Sequence, residues 1–85
     1  MKSEQTTLYK VKKLHRYRVV SVPEIAQLNG IGIRVGLNIY IQNHFFLGGP
    51  VLLRVDDAYT VALGKGIANQ IFVEELHDDI SEAKK

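Results

Sequence analysis

Cysteine is absent from this 85-residue chain, so no disulfide can staple it and no thiolate can hold a metal. Tryptophan is absent as well, and two prolines leave no polyproline tract. No apolar run approaches the roughly 20 residues that a membrane-spanning helix needs. The leading MKSEQTTLYKVKK contains no apolar core of the kind a secretory signal carries. Excess charge of one sign is scarce too. Eleven lysines and arginines stand against nine carboxylates, a formal net charge of +2, too little by itself to announce a nucleic-acid binder. These absences point to one small cytoplasmic domain. A chain of this length buries only about 60–65% of its unfolded surface on folding, so the core is thin and an interior that could enclose a large substrate is not expected.

What is present is concentrated between Gly30 and Val55, GIGIRVGLNIYIQNHFFLGGPVLLRV, which holds five of the seven glycines. Between Gly36 and Phe45 the side chains alternate. Leu37, Ile39, Ile41 and Phe45 are expected on one face of a half-buried strand, with Asn38, Tyr40, Gln42 and His44 facing outward. Phe45, Phe46 and Leu47 are consecutive, and a pleated strand cannot bury three successive side chains on one face. At least one belongs near a loop tip, either folded back as a lid over an open barrel end or held out as a docking knob.

Along the chain, residues 1–8 read as a flexible N-terminus, residues 9–76 as a single domain and residues 77–85 as a charged tail. The stretch YKVKKLHRYR places Tyr9 and Tyr17 among Lys10, Lys12, Lys13, His15, Arg16 and Arg18. It reads as the solvated face of a first strand, with Tyr17 and Val19 inward, or as a basic aromatic patch for phosphates. Ser21 and Glu24 have the spacing of a capping box around Pro23, predicting a two-turn helix through Val22, Ile25 and Leu28 that Asn29-Gly30 ends. Gly32 and Gly36 lie between a helix and a strand, the wrong context for a phosphate-binding loop. They are expected to supply positive φ at a sharp turn. Residues 51–63 predict a hairpin turning at Asp56-Asp57-Ala58. Gly64-Lys65-Gly66 breaks the sheet, residues 67–70 fit one helical turn, and IFVEEL is the last strand. The fold class is therefore all-β: a small, partly open barrel of about five antiparallel strands with one short α-helix and a helical turn before the last strand. SH3-like is the first choice of barrel and OB-like the second.

No catalytic constellation emerges. No serine or threonine stands in a nucleophile-elbow context, and Asp56 and Asp57 have a local reason to occupy a turn. The chain reads as a non-enzyme. His44, outward on the central strand, and His77 and Asp79 in the tail are the weak candidates for a labile ion such as ferrous iron. No resident cofactor is expected.

Taken in order, Leu28, Ile31-Gly32-Ile33, Gly36, the alternating strand and Gly49-Pro50, followed by Ala62-Leu63-Gly64, Ala68 and Ile71-Phe72-Val73, resemble the FeoA family (ferrous iron transport protein A). The resemblance runs from about Leu14 to Glu74. It implies a cytosolic SH3-like domain in which Leu28, Gly32, Gly36, Gly49, Pro50, Leu63 and Gly64 are structural. It further implies that the domain works by protein contact with FeoB, the membrane ferrous iron permease with a cytosolic GTPase domain. Phe45, Phe46, Leu47 and Tyr40 are the candidate contact residues. The same domain also occurs at the C-terminus of iron-dependent repressors. A second reading is a small nucleic-acid-binding barrel using the basic stretch, and a third is direct sensing of a transition metal. An incompletely closed barrel also offers an edge to a copy of itself, a route to a weak homo-oligomer.

Overall fold

The structure is a computed structural model that describes residues 5–45 and 47–76. Six strands form one antiparallel sheet: β1 (Gln5–Thr7), β2 (Arg16–Ser21), β3 (Asn38–His44), β4 (Val51–Val55), β5 (Tyr59–Leu63) and β6 (Phe72–Glu75). Their order across the sheet is β1-β6-β2-β3-β4-β5. Two short helices, α1 (Ala26–Gly30) and α2 (Lys65–Ala68), and a one-turn 3-10 helix (Leu8–Lys10) complete it. β1 and β5 are the ends of the sheet and are not bonded to each other, so the barrel is partly open. The inward side chains of every strand but β1, with Leu8, Leu28, Ile33 and Ile71 from the connections, form one buried cluster. Burial of such aliphatic side chains contributes about 1.5–3 kcal/mol each before chain entropy is subtracted.

The basic stretch alternates as expected. Tyr17 and Val19 are buried while Arg16 and Arg18 are exposed. The strand, however, begins only at Arg16, and Tyr9 lies in the 3-10 turn rather than in the sheet. The N-terminal boundary also moves. Gln5–Thr7, expected within a flexible segment, pair with Glu74, Val73 and Phe72 of β6, and Leu8 is fully buried. The strand count is six rather than about five for this reason.

The helix starts later than its capping-box pattern implies. Ser21 is the last residue of β2, paired with Phe72, and the residue before the first helical turn is Ile25, which has no side-chain cap. A ladder partner outweighs what a serine cap contributes, about 1 kcal/mol. The C-terminal end is well made, but at Gly32 rather than Gly30. The Gly32 N–H donates to Asn29 (3.2 Å) and the Ile33 N–H to Leu28 (2.9 Å), the paired bonds of a Schellman stop. Gly32 has φ +82°, and buried Leu28 and Ile33 are the apolar pair that accompanies the motif.

The larger departure lies in β3. Ile39 and Ile41 face Val55 and Leu53 across β4, but the register then shifts, so that Asn43 opposes Leu52 and His44 opposes Val51. This bulge inserts one residue and inverts the pleat beyond it. His44, expected outward, is buried, and Phe45, expected inward, is 45% exposed. The hairpin β4–β5 turns through Asp56 (φ 55°) and Asp57 (φ 58°), closed by the Ala58 N–H on the Val55 carbonyl at 2.8 Å. Two successive left-handed residues are what a primed hairpin turn requires.

Gly30 and Gly32 should respond oppositely to alanine. Gly30 is helical with open space around it, whereas a Cβ on Gly32 would sit 2.6 Å from the Tyr59 hydroxyl, which donates to the Ile31 carbonyl at 2.7 Å. Gly32→Ala is expected to lose about 2–3 kcal/mol in urea unfolding, and Gly30→Ala to gain about 0.5–1 kcal/mol. Equal effects would place the helix stop elsewhere.

Candidate docking surface

The loop between β3 and β4 is built around close approach and left-handed backbone. The Phe45 N–H donates to the Pro50 carbonyl at 3.0 Å, closing the loop. A Cβ on Gly49 would lie 2.6 Å from Phe45 Cβ and 2.7 Å from its carbonyl oxygen, so only glycine fits. Gly48 has φ +91°. Leu47 has φ +66° and is wholly exposed, an uncommon state for a large apolar residue. Phe46 lies outside the described residues.

Tyr9 holds this loop from below. Its hydroxyl accepts the Gly48 N–H at 2.9 Å. Its ring meets His44 edge to face, with centroids 4.6 Å apart and planes at 80°. The Lys65 ammonium lies 5.8 Å from the same ring. Sequence reasoning placed Tyr9 in a basic patch and missed this role, because the partner amide is 39 positions away. His44 is thus part of the packing at the base of the loop. No group of three or more metal-capable side chains occurs among the described residues, and His77 and Asp79 lie outside them.

Tyr40 belongs to a different place. It stands between Arg16 of β2 and Arg54 of β4 in register, with the Arg16 guanidinium 5.4 Å from its ring. Arg54 donates to the Asp57 carbonyl at 3.2 Å. These residues, with Asn38, Asp56 and Leu76, line a cleft of about 170 Å³ that includes no residue of the loop. The structure therefore brings Phe45 and Leu47 together and leaves Tyr40 apart. The motif residues Leu28, Leu63 and Gly64 converge instead with Ile31 and Ile67 on an apolar groove of about 330 Å³ between α1, the end of β5 and α2. Gly36 (φ +94°) turns the chain into β3, its N–H on the Val19 carbonyl at 2.8 Å.

The second tyrosine of the basic stretch is not a stacking platform. Tyr17 is buried, and its hydroxyl accepts the Lys12 N–H at 2.9 Å. Burial raises its phenol above the ordinary 10.0, the Lys12 N–H opposes that shift, and the charge of Glu75 adds to it. Arg18 is engaged by Glu74, with Nε at 2.9 Å, and His15 by Glu75.

Six antiparallel strands with two short helices define a small SH3-like domain. The FeoA domain model matches residues 6–75, and the chain belongs to the FeoA family, which is associated with ferrous iron transport. Among solved structures, an iron uptake regulatory protein (FeoA) is 24% identical with a TM-score of 0.77, over 86% of this chain and 99% of that one. A FeoA-like protein from Clostridium acetobutylicum is 27% identical with a TM-score of 0.76, over 99% and 100%. A manganese-dependent transcriptional repressor is 20% identical with a TM-score of 0.78; the match covers 89% of this chain but 44% of the repressor. No curated protein matches the chain. No described helix is long and apolar enough to cross a membrane.

Tyr9→Phe is expected to cost about 0.5–1.5 kcal/mol and to speed hydrogen exchange at the Gly48 amide while the core amides keep their protection. The contribution of Tyr17 to fold stability should be constant below pH 10 and be lost as pH rises from there through the raised value of the phenol, since the unfolded chain loses that proton first. Tyr17→Phe should flatten this slope, read by denaturation at stepped alkaline pH.

Proposed function

We propose that this chain is an accessory protein of ferrous iron uptake that acts by protein contact. Its partner is the cytosolic portion of an FeoB-type permease, including the GTPase domain, and its contact is the Phe45–Leu47 tip. The observation that carries this reading is Leu47, fully exposed and held at φ +66° by a loop tied to Tyr9 through Gly48. A left-handed leucine costs about 1–2 kcal/mol, and a side chain wholly in solvent gains no burial in the isolated domain to offset that. A partner that covers it supplies the missing burial. The tip is also pre-organised: Gly49 pressed against Phe45 and the closed Phe45–Pro50 turn lower the ordering cost of association. The domain acts as a non-enzyme, on the cytoplasmic side, and contact of this kind requires no cofactor.

Purified parent chain should be retained by the immobilised cytosolic portion of the permease. Leu47→Asp should weaken retention by roughly tenfold or more with an unchanged far-ultraviolet spectrum, because an exposed position tolerates the charge in the free domain. Absence of binding by the parent, together with unchanged iron uptake on deletion, would sink the proposal.

A further inference from the structure

A second exposed leucine stands apart from the tip. Leu14 is 62% exposed with φ +67°, at the head of the turn that leads into β2. Two backbone bonds and one from backbone to a side chain hold it there. The Leu14 N–H donates to the Ile41 carbonyl at 2.7 Å, and the Ile41 N–H to the His15 carbonyl at 3.0 Å. The Lys12 N–H meets the Tyr17 hydroxyl at 2.9 Å. Lys12 and Lys13 directly precede it in the chain and Lys10 lies four residues upstream, all three exposed. Between Gln5 and Pro23 there is no acidic residue. The nearby carboxylates Glu74 and Glu75 are engaged by Arg18 and His15, and the three lysines make no ion pair among the described residues. Lys65, beside Tyr9, adds a further positive charge to the neighbouring surface.

An unpaired lysine set of this kind suits a polyanion, and the surrounding side chains decide which. Single-stranded nucleic acid is gripped by stacking its bases on exposed aromatic faces, whereas Tyr17 is buried and Tyr9 packs with His44, Lys65 and the Gly48 amide. The exposed apolar side chain that follows these lysines, Leu14, is aliphatic. An exposed leucine beside a run of exposed lysines matches a bilayer surface, where leucine enters the acyl boundary and lysines meet anionic headgroups.

We infer that the Lys10–His15 turn is a contact site for anionic membrane lipid, with Leu14 inserting and Lys10, Lys12 and Lys13 binding headgroup phosphates. This site does not depend on the permease reading. It uses a different loop, and vesicles contain no permease.

The test is co-sedimentation of the full chain with vesicles of phosphatidylcholine alone and of phosphatidylcholine with one part in three phosphatidylglycerol. The chain should partition onto the anionic vesicles at low salt, and onto neutral ones at least roughly tenfold more weakly. Lys12→Gln with Lys13→Gln should reduce anionic partitioning by roughly tenfold. Leu14→Gly should reduce it severalfold while raising the urea midpoint, because glycine relieves the left-handed backbone; misfolding cannot then explain the loss. Leu47→Asp should retain partitioning within about twofold, since the tip is not part of the site. Failure of the parent to bind anionic vesicles, equal binding to neutral ones, or parent-like binding by Leu14→Gly would each overturn the inference. So would tight binding of a single-stranded oligonucleotide with vesicles ignored.

Discussion

The bulge between Ile41 and Asn43 is the constraint on which the β3–β4 end of the molecule depends. Before it, β3 lays Ile39 and Ile41 into the core against Val55 and Leu53. After it, the pleat is inverted, so His44 turns inward and Phe45 turns out. Had the strand kept its register, Phe45 would have packed inside and the imidazole would have faced water. The inversion seats His44 against Tyr9, and Tyr9 in turn accepts the Gly48 amide at the apolar tip. A one-residue insertion in a ladder thus links the core of the sheet to the surface that the domain presents.

A thin domain keeps such a tip in place by local devices rather than by bulk. Gly49 lets the chain close on Phe45, Gly48 takes up a left-handed turn, and one phenolic oxygen ties the loop to the opposite connection. The Schellman stop at Gly32 does the same for α1, where the Tyr59 hydroxyl fills the space that a side chain would occupy. Each device is worth only about 1 kcal/mol, yet a domain of this size has only some 5–10 kcal/mol of net stability.

Membership of the FeoA family and the SH3-like architecture agree with a domain that works through its surface. Its described clefts are small or shallow, Arg18 of the sheet is engaged by Glu74, and Arg16 lies over the Tyr40 ring. Two exposed leucines project from the connections, Leu47 on one loop and Leu14 on another, both in left-handed backbone. These two residues stand on separate connections of different character, one glycine-rich and apolar, the other preceded by three exposed lysines.

The sequence by itself determined the class of fold, because that depends on local chemistry. The alternation through Leu37, Ile39 and Ile41, the Asp56-Asp57 hairpin and the positive φ of Gly32 and Gly36 are properties of a few adjacent residues, and the ordered motif from Leu28 to Val73 carried the family. Tertiary structure decided everything that rests on a distant partner. Gln5–Thr7 are a strand only because β6 offers an edge some 70 positions later. Ser21 is a strand residue and not a helix cap because Phe72 pairs with it. The bulge has no mark in NIYIQNH, since it belongs to the fit of β3 on β4 rather than to either strand alone. That fit, invisible in a string of alternating letters, chose which side of the sheet His44 and Phe45 would face.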